Sequence, residues 1–289
     1  MMQANSNAGW TLVTGATGGL GGALVARLLA DGRRVIATAR RPELLDAHQG
    51  SGLLRTLSLD LSDPAAIADA RNSVAEIVKG DRLSGLVNMA GIIVEGPLEA
   101  VPVSELRRQL DVNVIGPFAL AQALLPLLKG SRGTIVNIGA ISAHITIPFY
   151  GPIAASKAGL AALNDAMRLE FGPYGIKVFL IEPGAMKTGI FSTSRAARDA
   201  TLAKSPELDQ RYRPALAAMD RSFEKSGADD PAVVVNAVMA ALAGGKVKPR
   251  MVVGKGTRAL MLLSHLPDRL RDRLVKNALG LGSALKSTT

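Results

Sequence analysis

Three clusters of side chains in this sequence are of types that bind or move charge. Thr14-Gly15-Ala16-Thr17-Gly18-Gly19-Leu20-Gly21 stands between an apolar run and a segment with helical spacing. Its small residues let the backbone approach a pyrophosphate, and the helix that follows presents unpaired N–H groups at the positive end of its dipole. A glycine loop alone is only a tight turn; between a strand and a helix it is a dinucleotide-binding signal. Arg40 and Arg41 close the next apolar run, with no acid before Glu43. An acid at that place would bond the ribose 2′-hydroxyl of NAD, whereas arginine suits the 2′-phosphate of NADP. The alternative is a solvated pair of surface arginines; the placement favours NADP(H) over NAD(H). The third cluster runs from Ser142 and His144 through Tyr150 to Lys157, all groups that hydrogen-bond or carry protons.

These motifs, in this order, resemble the short-chain dehydrogenase/reductase family. The family's TGxxxGxG is matched by Thr14–Gly21, and an Asp-Leu pair by Asp60-Leu61. Asn88-Met89-Ala90-Gly91 stands in place of the usual NNAG, Asn113 lies in Val-Asn-Val and Lys157 in Ala-Ser-Lys-Ala. Pro183-Gly184 is followed by Thr188, so the landmarks span Thr11–Thr188. Arg250-Met-Val-Val-Gly254 and the Leu-rich basic segment after it are similar to retinol- and steroid-type members. The resemblance implies that Asp60 contacts the adenine, Asn88 the cofactor ribose region and Thr188 the nicotinamide carboxamide. It also places Leu61, Ala90, Gly91, Pro183 and Gly184 around the dinucleotide. Lys157 would hold the nicotinamide ribose, and Asn113 would support the local helix geometry.

The family's usual chemistry is hydride transfer at a carbonyl carbon coupled to proton transfer at oxygen. A tyrosine four residues before the lysine is the acid/base, and a serine thirteen residues before that tyrosine polarises the carbonyl. Here Ile153 and Ala140 occupy those positions. A pocket walled by Ile153 and Ala140 is apolar and poor at stabilising a ketone's developing oxyanion. Three groups are candidates to replace the lost ones. Tyr150, seven residues before Lys157, has a spacing similar to that of the enoyl reductases, which reduce an activated C=C bond while tyrosine stabilises an enolate oxygen. Read without that likeness, it is an aromatic at the pocket rim. Ser142 lies two residues beyond the serine position and would reach it if the loop bulges. His144 is a candidate base or a surface histidine. The first functional expectation is an NADP(H)-dependent reductase of a hydrophobic small molecule, with possible targets including activated C=C bonds. The others are a cyclase, isomerase or lyase without net redox chemistry, and a cofactor-binding protein without catalysis.

Positioning such groups requires strands alternating with helices. Apolar runs at Trp10–Thr14, Arg34–Ala39, Leu53–Leu59, Leu83–Asn88, Thr134–Ile138, Ile176–Ile181 and Met251–Val253 read as strands. Helical spacing appears at Gly19–Asp31, Pro64–Lys79, Pro102–Lys129 (with bends expected at Pro117 and Pro126), Pro152–Phe171 and Asp230–Ala243. The alternation predicts an α/β fold, a doubly wound parallel sheet in one Rossmann-type domain over 1–289. Residues 186–227 are polar and interrupted by Pro206 and Pro214, and are expected to supply mobile helices over the substrate site.

Composition narrows the class. The 289 residues are 48% hydrophobic and 20% charged, enough apolar content for a sizeable core. Without cysteine there is no disulfide, thiolate nucleophile or Cys-bound metal, and the three histidines show no metal-ligand spacing. No leader and no long uninterrupted apolar span is apparent, so a cytoplasmic location is expected. Of the net charge of +10, residues 246–289 carry most, with ten basic residues against Asp268 and Asp272. Leu263, Leu266, Leu270 and Leu274 form an apolar stripe there. This basic amphipathic segment suits packing on its own domain or in a homodimer or homotetramer, a lid, or contact with an anionic membrane surface. With 3% aromatics and no reader motif, nucleic acid is not an expected partner.

Overall fold

The computed structural model describes residues 9–48, 52–245 and 247–281. Lys246, the last eight residues with Lys286, and residues 1–8, where the lack of a leader was read, lie outside these. The strands are β1 (Trp10–Thr14), β2 (Val35–Ala39), β3 (Leu54–Ser58), β4 (Leu83–Asn88), β5 (Thr134–Ile138), β6 (Lys177–Pro183) and β7 (Arg250–Val253). They form one parallel sheet in the order β3-β2-β1-β4-β5-β6-β7. β1, β2 and β5 are buried at every residue, which is why they read as continuous apolar runs rather than alternating ones.

Helices cover both faces. α1 (Gly19–Ala30) and α8 (Ala232–Leu242) pack Leu24, Val25, Leu28, Val234 and Val238 on one side. The other side holds α2 (Pro64–Ile77), α3 (Val103–Leu110), α4 (Gly116–Ser131) and α5 (Gly151–Phe171). There Val74, Leu120, Leu124, Leu128 and Met167 bury against Leu12, Leu86 and Ile135. α2 starts where the sequence signals it: the Asp63 carboxylate accepts from the Ala65 N–H at 2.9 Å, and Pro64 fills a position whose N–H needs no partner.

Two proline expectations resolve differently. The region from Pro102 is divided by a π-helical turn over Asp111–Ile115, not by a proline; Pro117 sits in the first turn of α4, and Pro126 lies within it. Residues 186–227 supply two helices, α6 (Ile190–Leu202) and α7 (Pro206–Ser226), and neither Pro206 nor Pro214 ends one. Pro206 is in the first turn of α7, where a missing donor costs nothing. Pro214 is interior, and burial of Ala215, Leu216 and Met219 offsets its lost hydrogen bond. α9 (Thr257–Ser264) and α10 (Asp268–Ala278) follow β7, separated at Pro267. The run Val103–Ser131 is long and apolar enough to cross a membrane by length and composition; its Leu120, Leu124 and Leu128 belong to the core under the sheet.

Leu120 is fully buried between the sheet and α2, whereas Leu169 on α5 is 66% exposed. Leu120→Ala is expected to destabilise by about 2–5 kcal/mol and Leu169→Ala by less than about 0.5 kcal/mol, measured by urea denaturation.

Candidate active site

The loops after β1, β4 and β6 meet at the carboxyl end of the sheet. Gly15 has φ +64°, and a methyl added there would stand 2.7 Å from the Ala90 Cα. At Gly21 an added methyl would collide with the Gly15 carbonyl, and at Gly19 it would lie 3.0 Å from Thr188 Cγ2. Only bare backbone fits these approaches. α1 begins at Gly18 without a side-chain cap, so its first N–H groups remain for a ligand. This is the cradle a dinucleotide pyrophosphate requires. The Thr14 hydroxyl accepts from both Met89 and Ala90 N–H at 3.0 Å, tying the β1 and β4 loops together.

The flanking residues divide into those facing the cleft and those building it. Arg40 and Arg41 are exposed at the end of β2, as is Thr17 in the loop. Asp60 accepts from the Ser62 hydroxyl and N–H at 2.6 and 2.9 Å; these bonds, aided by the Arg40 charge, hold its carboxyl below the usual range. Arg40 and Asp60 therefore lie near each other on one side of the cleft. Asn88 turns inward instead. Its amide donates to Asn137 Oδ1 at 2.8 Å, and Asn137 donates to Asn164 at 3.0 Å, so Asn88 ties β4 to β5 and α5 behind the cleft.

Lys157 and Asn113 come together beside Gly91: a methyl there would be 3.4 Å from Asn113 Oδ1 and 3.8 Å from Lys157 Nζ. Asn113 sits in the π turn, accepting from the Ile92 N–H and donating to the Ile92 carbonyl, both at 2.9 Å. Gln109 also donates to the Ile92 carbonyl, at 2.8 Å, and both amides bond the Ser156 hydroxyl, which donates to the Ile153 carbonyl. Lys157 Nζ donates to the Ile138 carbonyl at 2.7 Å, and burial lowers its pKa to about 8.

The reacting wall is apolar. Ile153 is 6% exposed and packs with Phe149, Tyr150, Leu216 and Met219 beneath α6 and α7, where Leu281 joins them. The Ser142 hydroxyl, in the short turn Ile141–Ala143, is buried without a partner. His144 is engaged with the fully buried Glu182, Nε2 to Oε1 at 2.8 Å, and Arg250 lies 3.6 Å from the other Glu182 oxygen. Tyr150 packs on Phe223 with ring centroids 5.5 Å apart, and its hydroxyl is directed toward Glu95. Burial first, then the Glu95 charge, raise its pKa far above the ordinary tyrosine value. α10 closes this region from outside, with Val275 packed against Ile141 and Ile145 while Leu270 and Leu274 remain exposed. Among the described residues no group of three acidic or histidine side chains gathers as a metal site.

The family model described as short chain dehydrogenase matches residues 9–199, most of the chain and all of this geometry up to α6. The chain belongs to the short chain dehydrogenase family. It is 34% identical over 278 residues to an NADPH-dependent 3-dehydrocapnine reductase of Ornithobacterium rhinotracheale, covering 92% of this chain and 95% of that one. It is 31% identical over 277 residues to human retinol dehydrogenase 16, covering 92% and 87%. A short chain dehydrogenase of Burkholderia cenocepacia, solved in complex with NADP, superposes with a TM-score of 0.70 at 25% identity, covering 94% and 98%.

Sequence reasoning missed Gln109, Ser156, Glu182 and Glu95. Gln109 precedes Asn113 by one helical turn, a spacing that places both on one face; the others carry no local signal. The buried Lys157 yields a pH-dependent expectation. Its folded pKa is depressed, so folding is penalised where the ammonium persists in both states, below about pH 8. That penalty fades as pH rises toward the unfolded lysine value near ~10.4. Lys157→Met is therefore expected to stabilise the cofactor-free protein at pH 7 by on the order of 2 kcal/mol, with the gain shrinking by pH 9.5, measured by thermal unfolding at both pH values.

Proposed function

We propose that the protein is an NADP(H)-dependent reductase of a hydrophobic small molecule, acting on an activated C=C bond rather than a simple ketone. The observation that carries this reading is the convergence of the bare-backbone loops on Lys157 beneath an apolar wall formed by Ile153 and its neighbours. Arg40 and Arg41 stand where a 2′-phosphate would be held. When bound, NADPH would supply a hydride to the β-carbon of an activated double bond, and the α-carbon of the resulting enolate would take its proton from solvent. Lys157, buried at the base of the site, would stabilise that enolate with its positive charge. Ile153 and Ala140 offer no proton to a ketone oxygen and leave carbonyl reduction without its acid. The NADPH-dependent relative and the NADP complex support the cofactor choice.

Fluorescence titration is expected to show NADPH binding more tightly than NADH, with Arg40→Ala/Arg41→Ala weakening NADPH about tenfold and leaving NADH unchanged. NADPH consumption with an enone but not with the matching saturated ketone supports the reading. Conversion of substrate at constant NADPH would replace it with a non-redox activity, and binding without turnover of any substrate would replace it with a cofactor-binding role. Ile153→Tyr with Ala140→Ser is expected to raise ketone reduction by ~10²-fold or more. No gain would show that the reacting wall differs by more than those two groups.

A further inference from the structure

The apolar compartment under α6 and α7 has one polar end. Glu95, in the loop after β4, Tyr150 at the start of α5, and Ser194 on α6 each hold a buried polar atom outside hydrogen-bonding geometry with any described residue: Oε2, Oη and Oγ. Glu95, Tyr150 and Ser194 are only 4%, 5% and 3% exposed. They are neighbours. The second Glu95 oxygen accepts from Arg198 at 3.1 Å, Arg198 also bonds Asp220 at 2.9 Å, and Arg195 pairs with Asp220 at 3.3 Å. The Tyr150 and Ser194 hydroxyls both lie close enough to Glu95 to favour its charged form.

The ion pairs around Glu95 balance: Arg195 and Arg198 pair with Asp220, Arg198 also reaches Glu95 and Asp199, and Arg213 pairs with Asp199. Burial nonetheless raises the Glu95 pKa despite Tyr150, Arg198 and Ser194. A cavity of about 30 Å³ lined by Glu95, Ser194 and Arg198 adjoins it. Unpaired buried donors and acceptors are rare in folded proteins and call for a partner. Here the partner must donate to a carboxylate and accept from hydroxyl groups. A hydroxyl does both; a ketone or ether lacks the donor, and an ammonium lacks the acceptor. A carboxylate would face Glu95 with like charge.

The place of the cluster links it to the reaction. Tyr150 precedes Lys157 by seven residues, about two turns and ~10 Å along α5 on nearly the same face. Ile153 lies between them and packs with Tyr150. We propose that Glu95, Tyr150 and Ser194 form a subsite for a hydroxyl group of the substrate, at the far end of the compartment from Lys157. The substrate is then a hydrophobic molecule with a distal hydroxyl, anchored by Tyr150. This rests on the reductase reading for the compartment's role, though not for the subsite's chemistry.

Calorimetric titration of the protein, with and without saturating NADP, with 1-octanol and with 1-methoxyoctane tests this, because the ether keeps the acceptor and lacks the donor. Wild type is expected to prefer the alcohol by about tenfold. Tyr150→Phe/Ser194→Ala and, separately, Glu95→Gln should reduce that preference while leaving NADPH affinity unchanged. Loss of the preference in either variant supports the subsite. Equal or absent binding of the two probes by wild type, or a preference that survives in both variants, overturns it. An intact alcohol preference in a protein that fails to bind NADPH would overturn the reductase reading and leave the subsite standing.

Discussion

At the carboxyl ends of β1 and β4 the strand order reverses, and the two loops there diverge from a single point. Their backbone groups must be paired at the place where a cleft has to open. The Thr14 hydroxyl meets this constraint by accepting from both Met89 and Ala90, and Gly15 permits the approach by having no side chain to collide with Ala90. With the junction closed in this way, α1 starts at the cleft with its first donors free. A dinucleotide site at a switch point of an open parallel sheet follows from that arrangement.

The second half of the site depends on buried amides. Asn88, Asn137 and Asn164 connect β4, β5 and α5, while Asn113 and Gln109 clamp the Ile92 backbone and reach Ser156. Buried polar groups are costly unless partnered, and these amides link β4, β5 and α5 through side-chain bonds that hold them in one arrangement. The result is a fixed base for Lys157, whose burial works against its own charge. A group destabilised in the free protein and placed beside the cradle is consistent with a ligand that compensates for it.

Above this base the chain becomes apolar. Ile153, Phe149, Leu216 and Met219 share a cluster with Leu281, so the first turn of α5, α7 and the segment after α10 enclose one compartment. Phe149 adopts φ +68°, an unusual conformation for a bulky residue, immediately before Tyr150. The polar groups in this compartment are concentrated on the side of Glu95, away from the sheet.

Much of this was legible in the sequence because it is local. The strands at Trp10–Thr14, Leu83–Asn88 and Thr134–Ile138 match their apolar runs residue for residue, since a strand buried on both faces is written as a short continuous hydrophobic stretch. The glycine loop was legible for the same reason: its function is in the backbone, and the residue types required are contiguous. The absence of tyrosine and serine at 153 and 140 was likewise a matter of counting from Lys157. Only the tertiary structure decided where the longer side chains go. Asn88 proved to be spent on Asn137, His144 on Glu182, and Tyr150 to face Glu95, each across a separation of dozens of residues that no periodicity encodes. Helices over 186–227 were expected from the sequence; that they bury Leu202, Leu216 and Met219 against the start of α5 and its loop, which outweighs the weak propensity around Pro206 and Pro214, is visible only in the tertiary structure.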